Sequence, residues 1–196
     1  VFTSGLALEQ INEALAPDPS WVKGMRYLPS FWEREDFQDR LVDLIDESVA
    51  PLLDRFAPIQ IGVMLCLHGC PLESKGYETG VRESTALYYG LQEKLIHKYP
   101  LMTPGWMNHP VPGKWTTPDV DQAAENLITL GAKAIAFVPI GFVTENHETQ
   151  LDIGYTIDKV KDKVECVHAP TLNDDPALLE MGAQWVAPLI EELRSV

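Results

Sequence analysis

Glu145, Glu148 and Asp152 follow one another at intervals of three and four residues. In a regular helix, turning about 100° per residue, that spacing stacks three carboxylates in one stripe. Like charges so close repel, so the stripe favours a helix only where water, a proton or a cation answers it. His68 is the second candidate, because an imidazole carries a proton or binds a metal near neutral pH. Facing Glu148, it would form a pair able to take protons from a ligand and to hold a divalent cation in transit. Glu148 falls in the first turns of its expected helix, where the dipole favours the ionised form. The plainer alternatives are a solvated acidic helix face and a hydrogen-bonded histidine at a strand end.

Position decides between these readings, so the elements that carry the residues matter. Residues 59–67 and 133–140 are nearly unbroken apolar runs, the pattern of strands covered on both faces. His68 ends the first, and Pro139 and Gly141 turn the chain out of the second toward Glu145. Shorter strands are expected at 21–28, 101–102 and 164–167. Thr3-Ser4-Gly5 reads as the cap of a short helix bearing Leu6, Leu8, Ile11 and Leu15, which Pro17 and Pro19 stop. Helical periods recur at 31–56, with Pro51 predicting a kink or break, and at 82–98, 119–130 and 174–193. Residues 104–118, rich in Pro and Trp, read as a long loop, and long ordered loops often carry function.

Strands alternating with helices predict an α/β fold, a doubly wound parallel sheet flanked by helices, in one domain spanning residues 1–196. With the strand order of flavodoxin-like sheets, the 59–67 and 133–140 strands are neighbours and the 101–102 strand lies on the far side. The crevice at the topological switch point then opens between His68 and residues 145–148.

Composition narrows the partners. With 15 Lys+Arg against 29 Asp+Glu, the net charge of −14 excludes the phosphate-neutralising footprint of a nucleic-acid binder and suits a cationic ligand. No apolar run has the length of a spanning helix, so a soluble chain is expected, with membrane association left open. Three cysteines are too few for a disulfide framework and point to a reducing compartment, cytoplasm or an organelle stroma or matrix. Cys66 and Cys70 flank His68, but no second Cys/His pair completes a structural zinc site. Trp106 and Trp115 are candidates either for partial core or for a flat apolar ligand. The glycine-rich phosphate loops of nucleotide-binding proteins are absent.

Four segments in order resemble the C-terminal half of the ferrochelatase family. They are Cys66-Leu67-His68-Gly69-Cys70-Pro71, Trp115-Thr116-Thr117-Pro118-Asp119-Val120-Asp121, the stretch from Pro139 to Thr149, and Leu172-Asn173-Asp174-Asp175-Pro176. The resemblance implies a lyase of haem biosynthesis that inserts Fe²⁺, its substrate, into a porphyrin such as protoporphyrin IX or coproporphyrin III. It implies that His68 and Glu148 are the catalytic and metal-handling pair, that Glu145 and Asp152 belong to a proton or cation path, and that Trp115 and Pro139 lie against the porphyrin. The helix after Glu148 is irregularly wound in the family, and Gly154 is compatible with that. No cofactor is expected to be permanently bound, and without a cysteine cluster after Asn173 no iron–sulfur cluster is expected.

The chain departs from the family at Asn146, where a histidine is usual, and at Cys70, which replaces leucine. The family has two similar halves enclosing the porphyrin, so the N-terminal half, or a partner chain supplying it, is expected to be missing. A non-catalytic tetrapyrrole- or metal-binding module, a chelatase for another metal and ring, and a domain whose acidic helix recruits a basic protein are the competing readings.

Overall fold

A computed structural model describes residues 2–17, 24–28, 30–73 and 78–195 of the chain. The elements run α1 (Phe2–Leu15), α2 (Glu35–Leu53), β1 (Ile61–His68), α3 (Val81–Leu95), β2 (Leu101–Met107), α4 (Val120–Thr129), β3 (Ala134–Pro139), a π-helical turn (Glu148–Asp152), α5 (Ile153–Val160), β4 (Glu165–His168) and α6 (Pro176–Arg194). All the strand pairs are parallel, in the order β2-β1-β3-β4. The fold is therefore the expected α/β class, with β1 and β3 adjacent and β2 beyond β1.

The two faces of the sheet can be read from alternate residues. Val63, Leu65 and Leu67 of β1, with Ala136 and Val138 of β3, join the core under α2, α3 and α6. Met64 and Cys66, with Ile135 and Phe137, join the core under α4 and α5. Side chains alternate across a strand, so a strand apolar at every position must be covered on both sides. His68 continues the Met64–Cys66 row and leaves β1 on the α4/α5 side. The chain moves outward from β1 to β2, then returns across β1 to β3 and on to β4, which puts the switch point between the carboxyl ends of β1 and β3.

Several elements differ from expectation. Helix α1 begins at Phe2 and contains Thr3 and Ser4 instead of being capped by them. Residues 24–28 pair with no strand, and 18–23 lie outside the described residues. Helix α2 passes through Pro51 and ends two residues later. Pro51 withdraws the N–H that would meet the carbonyl of Glu47, an exposed residue, where water can substitute.

Strand β2 runs to Met107, well into the predicted loop. It is an edge strand, and the Trp106 N–H turns away from β1 to the Pro118 carbonyl, 3.1 Å away. Pro104, two residues earlier, points the same way, so its missing N–H removes no bond to β1.

Asp175 ties the last helix to the first long one. Its side chain caps α6 by accepting the Leu178 N–H at 3.0 Å, and it accepts from the Arg40 guanidinium of α2 at 2.9 Å. That bond to Arg40 holds the Asp175 carboxyl below the usual carboxylate range. A depressed folded-state pKa adds stability that is present above the unfolded value and lost as pH falls through the folded one. Asp175→Asn is therefore expected to lower stability at pH 7 by roughly 1–3 kcal/mol. The gap from wild type should begin to narrow as pH falls below about 4 and close below the depressed folded-state value. Urea denaturation at pH 7 and pH 3 measures both values, and an unchanged gap would disprove the linkage.

Candidate active site

Three strand ends meet at the switch point. From β1 comes His68, from the segment after β2 His109, and from the segment after β3 Glu148. Nε2 of His68 lies 3.4 Å from Oε1 of Glu148, and Nε2 of His109 lies 3.6 Å from the same oxygen. The three donor atoms all lie within 4.8 Å of one another.

His68 is held by its own strand end. Its Nδ1 is 2.6 Å from the carbonyl oxygen of Gly69. A carbonyl only accepts, so Nδ1 carries the hydrogen, and in the neutral ring Nε2 presents a lone pair to the crevice. That lone pair faces a carboxylate oxygen, and two acceptors at such a distance call for a proton or a cation between them. Glu148 is largely buried, its side chain 15% exposed, and its second oxygen, Oε2, is buried with no hydrogen-bond partner. A buried oxygen left without a partner costs roughly 1–3 kcal/mol, and more when the group is charged, a burden that Glu148 shares among the described residues with Glu83 Oε2.

Local backbone chemistry sets Glu148 in place. Asn146 Oδ1 accepts the N–H groups of Glu148 and Thr149 at 2.9 and 3.1 Å, and the Thr149 hydroxyl accepts the Asn146 N–H at 2.9 Å. This reciprocal arrangement is a helix N-cap, worth about 1 kcal/mol, so Asn146 has a structural task where the family usually has histidine. The turn that follows is π-wound, with the Ile153 N–H reaching the Glu148 carbonyl. Gly141 lets β3 leave the sheet beside His68, since a Cβ there would stand 2.9 Å from the His68 nitrogen and Leu67 Cα.

The acidic stripe does not form as expected. Glu145 precedes the helix, exposed, with its N–H on Asn173 Oδ1 at 2.9 Å. Winding from Glu148 to Asp152 is π rather than α, so the regular angular spacing fails there. Asp152 lies 4.0 Å from His147 Nδ1 and lines a separate cavity of about 230 Å³ with Asp119, Asp121, Tyr155 and Lys159. Trp115 stays near the site, its ring 5.7 Å from that of His109 and its Nε1–H on the Val111 carbonyl at 3.1 Å. Pro139 is buried in β3 opposite Cys66 and offers no exposed face to a porphyrin. Burial pushes the Cys70 thiol up to about 11 and the Cys66 thiol higher still, which keeps both protonated and unlike zinc ligands.

His109 is the functional candidate that sequence reasoning missed. The available signal is a titratable ring inside the long Pro- and Trp-rich stretch between Pro104 and Pro118. Its ring lies edge-on to His68, the centroids 5.3 Å apart, and Phe142 also tilts against His68, at 5.7 Å.

Comparison with known proteins gives the family of the chain. The family model for ferrochelatase matches residues 1–189. The chain is 25% identical over 202 residues to the ferrochelatase of Gloeothece citriformis, covering 98% of this chain and 50% of that protein. It is 27% identical over 203 residues to the ferrochelatase of Synechococcus elongatus, covering 99% and 51%. Against that of Trichormus variabilis it is 28% identical over 164 residues, covering 79% and 40%. The chain thus spans about half the length of the curated relatives it matches first, and it belongs to the ferrochelatase family.

Proposed function

We propose that this member of the ferrochelatase family is the metal-handling half of an enzyme that inserts ferrous iron into a porphyrin. The other half of the cleft would come from a further segment or a partner chain. The observation that carries the reading is the approach of His68 Nε2 to Glu148 Oε1 at 3.4 Å, at the carboxyl ends of two neighbouring strands. Inserting a divalent ion displaces two pyrrole protons, so the site must accept protons and hold charge. Glu148 accepts a proton, and the Gly69 carbonyl keeps the His68 lone pair turned toward the ring centre. In this reading Asp152, 4.0 Å from His147, and the exposed Glu145 would pass protons or cations outward.

The macrocycle needs an apolar wall. Beside the site an apolar cavity of about 490 Å³ is lined by Phe31, Trp32, Leu67, Leu87, Ile140 and Phe142. Phe142 borders both the cavity and His68, which supports a flat ligand lying from one to the other. The cysteines are free, in keeping with the cytoplasm, stroma or matrix as its compartment. Among the described residues no helix is long and apolar enough to cross a membrane.

An anaerobic absorption titration tests the proposal. Protoporphyrin and Fe²⁺ are added to the chain alone and to the chain mixed with the N-terminal half of a cyanobacterial relative. The expected result is a perturbed porphyrin band with the chain alone and the metalloporphyrin spectrum with both halves. A perturbed band without metallation in either mixture would favour a binding module, and an unperturbed band in both would overturn tetrapyrrole binding.

A further inference from the structure

We propose that His109 completes, with His68 and Glu148, a three-ligand site that binds a divalent transition-metal ion in the absence of porphyrin. The inference rests on the His68–Glu148 reading and extends it by a ligand from a third strand end.

Bond lengths carry the argument. Metal–nitrogen and metal–oxygen bonds of roughly 2.0–2.2 Å put neighbouring ligand atoms about 3.0–3.5 Å apart around one ion. Two of the three separations, at 3.4 and 3.6 Å, already lie in or beside that range. The third, between the donor nitrogens of the two imidazoles, is no more than 4.8 Å, and a shift of the exposed His109 would close the remainder. An ion at that point would also end the confrontation of lone pairs at Glu148 Oε1 and give the buried, partnerless Oε2 a cation beside it. His68 is already fixed in the ligating tautomer by its Nδ1–H bond to Gly69.

Donor chemistry names the class of ion. Two imidazoles and one carboxylate favour Fe²⁺, Co²⁺, Ni²⁺ and Zn²⁺ over Mg²⁺ and Ca²⁺, which prefer all-oxygen shells. Three protein ligands leave open positions, so pyrrole nitrogens can reach the ion while it is still held. His109 thus acts in metal capture and selectivity, and the His68–Glu148 pair acts also at the macrocycle.

Cobalt(II) chloride, titrated into the whole chain without porphyrin, provides the test. Binding is followed by visible absorption, and ligands are counted as paramagnetically shifted imidazole N–H proton resonances. Wild type is expected to show two such resonances and binding that millimolar Mg²⁺ does not displace. His109→Ala and His109→Gln should each leave one resonance and weaken Co²⁺ at least about tenfold, since loss even of an outer-shell partner costs that much. Circular dichroism confirms that both variants are folded. Two resonances in either variant, or unchanged affinity, would overturn the third ligand. His68→Ala and Glu148→Gln in the same titration separate the two ideas. If they abolish binding while the His109 variants bind normally, only the third ligand fails; if they too bind normally, the paired site itself fails.

Discussion

Glu148→Gln and His68→Ala, each made in a preparation that metallates porphyrin, are expected to lower the initial rate of insertion by roughly 10²–10⁴-fold, the range attached to a positioned acid or base. Glutamine keeps the shape of glutamate but takes no proton at neutral pH and brings no charge to a cation. The substitution should leave the fold intact, because the new amide N–H can donate to His68 Nε2, which now faces an acceptor at 3.4 Å. It also removes a buried carboxylate whose second oxygen has no partner. The melting temperature of Glu148→Gln should therefore equal or exceed that of wild type while the insertion rate falls. Loss of activity with a retained melting temperature rules out unfolding as the cause. Wild-type turnover in either variant would refute the assignment of the pair, whatever the family.

Legibility in the sequence tracked how local the determining physics was. The runs that became β1 and β3 were legible because a strand buried on both faces is apolar at every position, and Val63, Met64, Leu65 and Cys66 are all fully buried. Their adjacency rested on adopting the strand order of flavodoxin-like sheets, which the order β2-β1-β3-β4 matches, and with it came the meeting of His68 and Glu148. The length of β2 was not legible, because Pro104 and Gly105 read as breakers until the edge position of that strand is known. The stripe of Glu145, Glu148 and Asp152 assumed a uniform helix, whereas Asn146 places the cap after Glu145 and the next turn is π-wound. His109 could not be placed at all, since nothing in its own segment says that the chain returns to β1 there.

That return depends on a backbone contact, and breaking it is the second large effect expected. In Gly69→Ala, a Cβ would stand 2.6 Å from Asn108 Cα and closer still to the Met107 carbonyl oxygen. Backbone atoms cannot rotate away as a flexible side chain could, so the ends of β1 and β2 must separate. The Gly69 N–H bond to the Met107 carbonyl, at 2.9 Å, goes first. The neighbouring clasp follows, in which the Cys70 and Thr116 backbones bond through the Thr116 hydroxyl at 3.1 Å and the Thr116 N–H at 3.0 Å. The cost is expected at about 3 kcal/mol, the upper end of overpacking penalties, which for a domain of this size lowers the melting temperature by roughly 6–12 °C.

The site suffers beyond that. Gly69 supplies the carbonyl that orients His68, and Asn108 directly precedes His109, so the clash drives apart the two imidazoles that share Glu148. Metal affinity and insertion should therefore fall even at temperatures where the variant is fully folded, which thermal unfolding and Co²⁺ titration of one sample can establish together. Gly154→Ala is the contrasting case, since nothing lies within 4 Å of the added Cβ in α5. It should gain up to about 1 kcal/mol of helix stability and leave the site untouched. Equal behaviour of the two alanine variants would mean that the ends of β1 and β2 do not touch, and His68 and His109 would then lack the common backbone support on which their approach depends.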